Sequence, residues 1–322
     1  MRAAADADQY RAIRILPYCW IYVLGDMHQV DSIVKMEVAD TLSLSFHDMP
    51  TVTAIILDYN KADRVVENVR GLLNQEADFK IEIIVADNSC NYKNATILAP
   101  LAKLDGVKLI VNSENLGYVK GCNAAAKHAR GSYILIVNPD ILWPDIHAVQ
   151  TLVDYLKNDP SVGIVGPKQV DERTGTVALT ARAFPRLLIQ ILRRSPLRVL
   201  PGLRKLVAYD EMTHLDTSRT QAVDWLQSSC FLLHRDLWES LGGFDERYVM
   251  FLADPEICWQ SWSRGLKVVY HAGVKVAADG IRCSSGGLTQ IFSKPILRQH
   301  LRDSIKYRWR HAWRKNPRGR AV

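Results

Sequence analysis

The sequence predicts an α/β fold in which a doubly wound, mostly parallel sheet carries helices on both faces. Short apolar runs alternate with segments whose apolar residues recur at helical spacing, which is typical of βαβ units. The run from Tyr133 to Val137 is apolar without alternation, as expected for a strand buried on both faces, and Pro139 ends it. The carboxyl ends of such strands should meet at one edge, where open α/β sheets bind ligands.

The predicted elements follow one another in a regular order. Strands are predicted over residues 52–57, 81–86, 107–111, 133–137, 162–165 and 230–233, and helices near 65–73, 95–104, 119–129, 146–156 and directly before Gly242. Residues 186–222 are rich in arginine and proline and predict a mobile basic segment or a solvated loop. Asp254 followed by Pro255 predicts the start of a further helix, with Asp254 as its N-cap.

Composition narrows the class of protein. With 322 residues, 48% of them hydrophobic, the chain can bury a large core. The six cysteines include no Cys-x-x-Cys pair, which argues against a zinc site or a disulfide framework and favours a reducing, cytoplasmic setting. No apolar run reaches the ~20 residues of a membrane-spanning helix. Residues 1–49 lack a sustained period and are interpreted as an N-terminal extension, for which partial disorder is one expectation.

Polar residues follow each predicted strand of the first half. They are Asp58, Asn60, Asp87, Asn88, Asn115, Asn138 and Asp140. Side chains of these types can bind the base, ribose and phosphates of a nucleotide, with the helix N-terminus after Gly117 taking phosphate charge. The Gly-x-Gly-x-x-Gly and Gly-x-x-x-x-Gly-Lys patterns are missing from the sequence, which disfavours a dinucleotide dehydrogenase or an ATPase. Taken alone, residues 138–140 are equally good turn chemistry.

From Thr51 to Trp313 the chain resembles family 2 glycosyltransferases of the GT-A fold, in the branch of the bacterial rhamnosyltransferases. The resemblance rests on seven motifs in order: residues 57–60 (LDYN), 85–89 (VADNS), 112–121 with Asn123, 137–140 (VNPD), 223–226 (VDWL), 242–246 (GGFDE) and 254–259 (DPEICW). It implies a GT-A domain over residues 50–290, with a nucleotide-sugar half at 50–145 and an acceptor half at 146–290. A basic amphipathic C-terminal helix should follow at 291–322.

The resemblance also implies roles for individual residues. Donor binding is carried over to Asp58, Tyr59, Asn60, Asp87, Asn88, Asn115, Gly117, Asn123 and Asn138. Trp225 and Glu256 are expected to contact the acceptor. Asp254 matches the family's general base, while Ala253 stands where the family has a glutamate. An ordinary carboxylate pKa would leave Asp254 ionised at neutral pH.

The expected cofactor is Mg²⁺ or Mn²⁺. Residues 138–140 occupy the place of the family's Asp-x-Asp metal motif, so Asp140 is its one acidic metal ligand here. The family often adds a histidine near a Val-x-His segment, but that segment reads Val-Lys-Val-Ala at residues 274–277. His271 precedes it and Asp279 follows it, so the third ligand stays open.

The function implied by the resemblance is inverting transfer of a sugar, with rhamnose from dTDP-rhamnose as the first choice, to a glycan or lipid-linked acceptor in cell-surface polysaccharide synthesis. One alternative is a transferase for galactofuranose or an N-acetylhexosamine. Another is a nucleotide-sugar-binding protein without turnover, which the missing Asp, Glu and His favour. A nucleotidyltransferase is disfavoured because no glycine-rich basic loop follows the first strand. No nucleic acid partner is expected.

The C-terminal tail is strongly cationic. From Lys294 onward it contains ten Lys or Arg residues and one acid, Asp303. At near-helical spacing it places the apolar residues Ile296, Leu297, Leu301, Ile305, Trp309 and Trp313, with Arg298, Arg302, Lys306, Arg310 and Arg314 between them. This pattern predicts a peripheral helix on the anionic inner face of the cytoplasmic membrane. The alternative is that the apolar stripe packs on the catalytic domain.

Overall fold

The chain divides into two compact units, residues 1–49 and 50–322. This computed structural model describes residues 10–16 and 19–24 by their backbone, and residues 51–185, 189, 192, 195–280 and 295–319. In the first unit, strands β1 (Tyr10–Leu16) and β2 (Cys19–Leu24) pair antiparallel. The rest of the predicted N-terminal extension lies outside the described residues.

The strands of the second unit are β3 (Val52–Asp58), β4 (Ile81–Asp87), β5 (Val107–Val111), β6 (Tyr133–Val137), β7 (Val162–Asp171), β8 (Ala181–Arg182), β9 (Gln221–Ala222), β10 (Trp225–Leu226), β11 (Cys230–His234) and β12 (Lys267–Ala278). Eight of them form one sheet in the order β5-β4-β3-β6-β11-β7-β12-β9. The first four strands in this order are parallel to one another, and β11 runs antiparallel to β6 and β7. Strands β8 and β10 form a separate antiparallel pair. The prediction of a mostly parallel α/β sheet is confirmed.

Helices connect most of these strands. They are α1 (Ala62–Leu73), α2 (Tyr92–Leu98), α3 (Gly117–Ala126), α4 (Ala148–Asn158), α5 (Pro201–Asp210), α6 (Arg235–Leu241), α7 (Ala253–Ser263) and α8 (Pro295–His311). The helix expected near 95–104 is wrong in its bounds, since α2 stops at Leu98 and a 3₁₀ helix, Ala99–Lys103, with Pro100 in its first turn, follows. The segment 186–222, expected to be a loop, contains a 3₁₀ helix (Pro196–Val199) and α5.

The sheet is buried on both faces. Along β3 every residue is buried, and alternate side chains enter two different hydrophobic clusters. Ile55 and Leu57 face the cluster that includes residues of α3, α6 and α7. Ala54 and Ile56 face the cluster that includes residues of α1 and α4. This double burial explains why the strands read as unbroken apolar runs in the sequence.

The start of α7 differs from the sequence-based expectation. Leu252, in the left-handed conformation with φ of 66°, is the N-cap, and the helix begins at Ala253. Asp254 is therefore the second residue of the helix and does not cap it. Glycine ends α6 as predicted, because Gly242 adopts φ of 74° and its N–H bonds to Glu239 O. In the described part of the chain, no helix combines the length and the hydropathy that crossing a membrane requires.

Candidate active site

Two carboxylates lie side by side where β3 and β4 end. Asp58 and Asp87 are the last residues of these strands and are register partners, and both are buried. Asn94 of α2 donates from Nδ2 to Asp58 Oδ2 at 2.6 Å and to Asp87 Oδ1 at 3.1 Å. Burial raises the pKa of Asp58, although hydrogen bonds from Asn94 and from the Lys61 backbone N–H oppose this. Asn94 is not among the residues predicted for the site, because this asparagine lies on a helix and does not follow the end of a strand.

The two carboxylate oxygens of Asp87 differ in their hydrogen bonding. Asp87 Oδ1 accepts from Asn94 and from the Ser89 N–H at 2.9 Å, whereas Oδ2 is buried and has no hydrogen-bond partner among the described residues. A buried carboxylate oxygen without a donor is costly. A hydroxyl or ring N–H of a bound molecule would satisfy it.

An amide network fixes the loop that leads into α3. Asn88 donates from Nδ2 to Asn115 Oδ1 at 2.8 Å and accepts from the Leu116 N–H at 3.0 Å. Asn115 Oδ1 also accepts from the Gly117 N–H at 2.9 Å. Gly117 has φ of 75°, and a Cβ there would lie 3.4 Å from Val249 O. The N-terminus of α3 is thereby held at the carboxyl edge of the sheet.

The predicted donor-binding residues do not all share one environment. Tyr59 directly follows β3 and is 58% exposed, and the Asn60 N–H donates to Ser89 Oγ at 2.8 Å. Asn138 directly follows β6, and its backbone bonds to Ser229 O and to the Asn68 side chain.

Three further predicted contact residues bond within the protein. Asn123 exchanges hydrogen bonds with the Phe244 backbone at 2.8 and 2.9 Å. Trp225 is buried and donates to Ala183 O at 2.7 Å. Glu256 is also buried and lies in an ion cluster with Arg310 and His311. Their predicted roles in donor and acceptor binding stay predictions.

A pair of carboxylates with a lysine lies beside the donor edge, the edge of the sheet where β3 and β4 end at Asp58 and Asp87. Lys61 Nζ is 2.9 Å from Asp279 Oδ2 and 3.7 Å from Asp140 Oδ1. Burial raises the pKa of Asp140, a hydrogen bond with Asp279 raises it further, and the charge of Lys61 lowers it. The Lys61 backbone N–H also donates to Asp58 Oδ1 at 2.9 Å. Lys61, which the sequence reading did not single out, thus joins this pair to the donor edge.

The Asp140 and Asp279 pair fits a hard divalent cation. Its carboxylates provide oxygen ligands that Mg²⁺ and Mn²⁺ prefer, and Mg²⁺ commonly takes its remaining ligands from water and substrate phosphates. No cluster of three or more His, Cys, Asp or Glu residues suited to a metal occurs in the described ranges. His271 is not part of the pair, because its ring packs edge-on against Tyr155 and its Nδ1 accepts from the Val274 N–H.

Asp254 has an unusual pKa for a carboxylate. Its side chain is partly exposed, yet burial of the carboxyl raises its pKa to about 7, against hydrogen bonds with its own backbone and that of Ser228 and the charge of Arg182. The expected ordinary pKa is therefore wrong. Tyr118, next to Gly117, donates to Ser228 Oγ at 2.9 Å. Ser228 thus links Tyr118, in the first turn of α3, to Asp254 in the first turn of α7.

Glu256 is the centre of a buried ion cluster. It accepts from His311 Nε2 at 2.6 Å, from Arg310 Nε at 2.8 Å and from the Tyr248 hydroxyl at 3.1 Å. Burial alone would raise its pKa, but the hydrogen bonds from His311 and Gln260 and the charges of His311 and Arg310 outweigh it and lower the pKa to about 2. This cluster fastens α8 to α7.

Known proteins share both the sequence pattern and the architecture. The model of the family described as "Glycosyl transferase family 2" matches residues 53–205. The N-acetylglucosaminyl-diphospho-decaprenol L-rhamnosyltransferase of Mycobacterium tuberculosis is 25% identical over 222 residues, which cover 66% of this chain and 70% of that protein. The Rhamnosyltransferase WbbL of Escherichia coli is 25% identical over 262 residues, covering 80% of this chain and 92% of that one.

A solved structure shows the same fold. It is the mannosyltransferase PcManGT from Pyrobaculum calidifontis in complex with GDP-Man and Mn²⁺, at a TM-score of 0.52 and 18% identity, covering 86% of this chain and 74% of that chain. The resemblance stated from the motifs is therefore confirmed. Residues 53–205 thus form a glycosyl transferase family 2 domain, and the chain has a GT-A fold.

Proposed function

We propose that the protein is an inverting rhamnosyltransferase that uses dTDP-rhamnose and a lipid-linked glycan acceptor. One observation carries the proposal. Asp87, at the donor edge, has a buried carboxylate oxygen without a hydrogen-bond partner among the described residues. Tyr118 and Ser228 link this edge to Asp254, a partly exposed carboxylate with a raised pKa. Asp254 has the properties of a general base, since a pKa near the working pH gives efficient proton transfer.

The donor edge is suited to a nucleoside diphosphate. Asp87 Oδ2 accepts a hydrogen bond from the base or the ribose, and the exposed Tyr59 ring provides a surface for the base. The N-terminus of α3, fixed by Asn88 and Asn115, places backbone N–H groups and a positive dipole end near the phosphates. These contacts orient the donor sugar toward Asp254.

The proposed reaction is a single displacement at the anomeric carbon. An acceptor hydroxyl attacks this carbon from the face opposite the diphosphate, and Asp254 takes the hydroxyl proton. A new glycosidic C–O bond forms, and the bond between the anomeric carbon and the diphosphate oxygen breaks. The nucleoside diphosphate leaves with the bonding electron pair. One displacement inverts the anomeric configuration.

Asp140 and Asp279 would hold the divalent cation. When bound, Mg²⁺ or Mn²⁺ supplies positive charge that stabilises the leaving diphosphate. Lys61 lies between the two carboxylates and the donor edge, and its ammonium group contributes a positive charge of its own.

The choice of sugar and acceptor rests on the relatives. Two proteins that are 25% identical to this chain, one matching 66% of it and the other 80%, carry rhamnosyltransferase names. One of them acts, by its name, on N-acetylglucosaminyl-diphospho-decaprenol, a sugar on a lipid diphosphate. A lipid-linked acceptor of this class places the reaction at a membrane surface.

The outer side of α8 supports a peripheral position on the inner face of the cytoplasmic membrane. Trp309 is 77% exposed and Trp313 is 95% exposed. Leu301 and Ile305 are also exposed and precede Trp309 at four-residue spacing, so these three residues form an outward apolar stripe on α8, and Trp313 follows two residues after the helix ends. The exposed cations Arg298, Arg302, Lys306, Arg308, Arg314 and Lys315 flank this stripe. Aromatic and aliphatic groups beside cations match an anionic lipid interface.

The other side of α8 packs on the domain. Leu297 is fully buried, and Tyr307 belongs to the hydrophobic cluster that contains residues of α7. The expected packing on the domain is thus met by Leu297 and Tyr307, whereas Leu301, Ile305 and Trp309 are exposed on the other side of the helix.

A panel of nucleotide sugars tests the function. Thermal unfolding is measured with dTDP-rhamnose, UDP-galactofuranose, UDP-N-acetylglucosamine and GDP-mannose, each with and without Mn²⁺. The proposal predicts the largest rise in Tm with dTDP-rhamnose, followed by transfer of rhamnose to a synthetic lipid-diphosphate sugar. Preference for another sugar nucleotide would correct the donor. Binding without release of dTDP in the presence of acceptor would favour a binding protein without turnover.

A further inference from the structure

The loop that leads into α7 is held by a buried carboxylate from the C-terminal helix. Asp303 of α8 is 0% exposed. Its Oδ2 accepts from three successive backbone N–H groups, those of Val249 and Met250 at 3.3 Å and that of Phe251 at 3.1 Å. Its Oδ1 accepts from Gln299 Nε2 at 2.9 Å. The carboxylate therefore takes up N–H groups that no strand or helix satisfies.

This loop ends in a residue with a strained backbone. Leu252 has φ of 66°, a conformation that non-glycine residues adopt at a free-energy cost and keep only where their surroundings impose it. Asp254 follows two residues later, in the first turn of α7. Any release of the loop would let Leu252 relax and would rotate the first turn of the helix that carries Asp254.

The same loop also touches the donor edge. Val249 O accepts from the Val119 N–H of α3 at 3.3 Å, and Gly117 approaches the same oxygen. Asp303 thus holds one side of the loop, and the first turn of α3 contacts the other. The loop lies between the helix that orients the donor phosphates and the helix that carries the base.

We propose that Asp303 is a positioning residue, which fixes the loop 249–252 and thereby sets the position of Asp254 relative to the donor. The proposal rests on the role of Asp254 in the proposed function. Asp303 touches neither substrate, and it acts through backbone N–H groups. Its substitution should therefore lower kcat and leave donor affinity unchanged.

The test compares Asp303→Asn with the matched control Ser304→Ala in the full chain. Asn removes the negative charge and one of the two acceptor oxygens, so either the three backbone N–H groups or Gln299 Nε2 loses its acceptor. Ser304 is the next residue of α8, is also buried, and hydrogen-bonds only back to His300 within its own helix. We expect kcat to fall about 10- to 100-fold in Asp303→Asn, with an unchanged Kd for dTDP-rhamnose, and to stay near wild type in Ser304→Ala.

Two further measurements do not need activity. Hydrogen exchange of the peptide spanning 249–252 should become at least about 10-fold faster in Asp303→Asn, with the sheet strands unchanged. In the ¹³C NMR titration of labelled aspartates, the Asp254 midpoint, assigned with Asp254→Asn, should move toward the ordinary range. If Asp303→Asn does not fold, Asp303→Glu keeps the charge but displaces it by one methylene, and the same kcat and exchange changes are expected.

The outcomes separate the two proposals. Unchanged exchange at 249–252 and an unchanged Asp254 midpoint in the Asp303 variant would overturn the positioning role, as would a kcat equal to that of Ser304→Ala. If wild-type protein transfers no sugar, the proposed function fails, while exchange and titration still decide the role of Asp303.

Discussion

Lys61 Nζ lies 2.9 Å from Asp279 Oδ2 and 3.7 Å from Asp140 Oδ1, so a lysine ammonium offsets part of the negative charge of the two carboxylates that would hold the metal. A metal ion and an ammonium group at the same carboxylates repel each other. The lysine side chain must therefore move aside when the cation binds, or the cation binds more weakly. This relationship makes the metal affinity of the site dependent on Lys61.

The first prediction is that Lys61→Met binds Mn²⁺ more tightly than the wild type. Methionine keeps most of the length of the side chain and removes its charge. At an effective dielectric constant of 20, one charge ~4 Å away is worth ~4 kcal/mol before screening, so a rise in affinity of at least about 10-fold is expected. Mn²⁺ binding is measured by electron paramagnetic resonance in the absence of substrate.

Lys93→Met is the matched control, because Lys93 is an exposed lysine on α2. Its affinity for Mn²⁺ should equal that of the wild type. Equal affinities in Lys61→Met and wild type would show that Lys61 does not compete with the metal. Loss of binding in Asp279→Asn would identify Asp279 as a ligand.

The second prediction concerns the pH dependence of transfer. Because a general base acts in its ionised form and the pKa of Asp254 is raised to about 7, kcat/KM should fall about tenfold per pH unit below that value. Asp254→Asn should lower kcat by about 10²- to 10⁴-fold with an unchanged donor Kd. A pH profile that is flat between pH 5 and 8, or near-normal transfer by Asp254→Asn, would remove Asp254 from the mechanism.

The stability of Asp254→Asn checks the raised pKa of Asp254 without an activity assay. The pKa of Asp254 in the folded protein lies above its ordinary value of 3.8, so ionisation of this carboxyl lowers the stability of the fold as pH rises from 3.8, and the full loss is reached above about 7. At pH 8 the neutral Asn variant should therefore be at least as stable as the wild type in thermal unfolding. A less stable Asn variant at pH 8 would contradict the raised pKa.

Much of the fold follows from the sequence because local patterns determine it. Strands β3 and β4 are equally long, largely apolar on both faces and end at Asp58 and Asp87, so the register of these two residues could be expected. The glycine end of α6 likewise follows from a local rule. The composition of the donor edge was thus predictable.

The remaining parts of the site depend on contacts between distant residues. Lys61 and Asp279 are 218 positions apart, and Asp303 meets Val249 through helix packing. No local period encodes either contact. The raised pKa of Asp254 likewise arises from burial by the folded chain. Glu256 is a further example. Its motif predicts contact with the acceptor, but the partners of its carboxylate come from α8, which is distant in the sequence.

The third prediction concerns Glu256. Its pKa is lowered to about 2, so its ionised form stabilises the fold; this contribution is complete above about 4.5 and is lost as pH falls toward 2. Glu256→Gln removes the buried carboxylate that accepts hydrogen bonds from Arg310 and His311 and should reduce the free energy of unfolding by about 3–5 kcal/mol at pH 7. The difference from wild type should shrink below pH 4.5. Urea unfolding at a series of pH values measures it.

Glu239→Gln is the control for Glu256→Gln. Glu239 is exposed and pairs with Arg235 four residues earlier on α6, so its removal should cost at most about 1 kcal/mol. A Glu256→Gln variant with unchanged stability and a raised KM for the acceptor would instead support the acceptor contact that the motif implies.

The fourth prediction is that residues 49–322 fold without the preceding segment. The sheet of the second unit and its two large hydrophobic clusters lie within 50–322. A protein that starts at Met49 should therefore be soluble and unfold cooperatively, as measured by circular dichroism. An insoluble or non-cooperative product would show that the N-terminal segment contributes to the fold of this domain.

The fifth prediction is that the outer side of α8 binds anionic membranes. The full-length protein should sediment with vesicles containing phosphatidylglycerol at low salt, and only weakly with neutral phosphatidylcholine vesicles. Each cation near such a surface contributes ~1 kcal/mol before screening, so replacing four of them should weaken binding at least about 10-fold. The four are Arg302, Arg308, Arg314 and Lys315, all exposed and outside the Glu256 cluster, and each is changed to Gln.

A matched variant changes four exposed cations on other elements, Arg70, Lys93, Lys103 and Lys127, to Gln and so removes the same net charge. Its binding should stay close to that of the wild type, because these residues do not flank the apolar stripe. Trp309→Ser with Trp313→Ser should weaken binding to both kinds of vesicle, since these rings supply the apolar contact. Equal losses in the two four-residue variants would mean that net charge alone attracts the protein, and the assignment of this face of α8 to the membrane would be wrong.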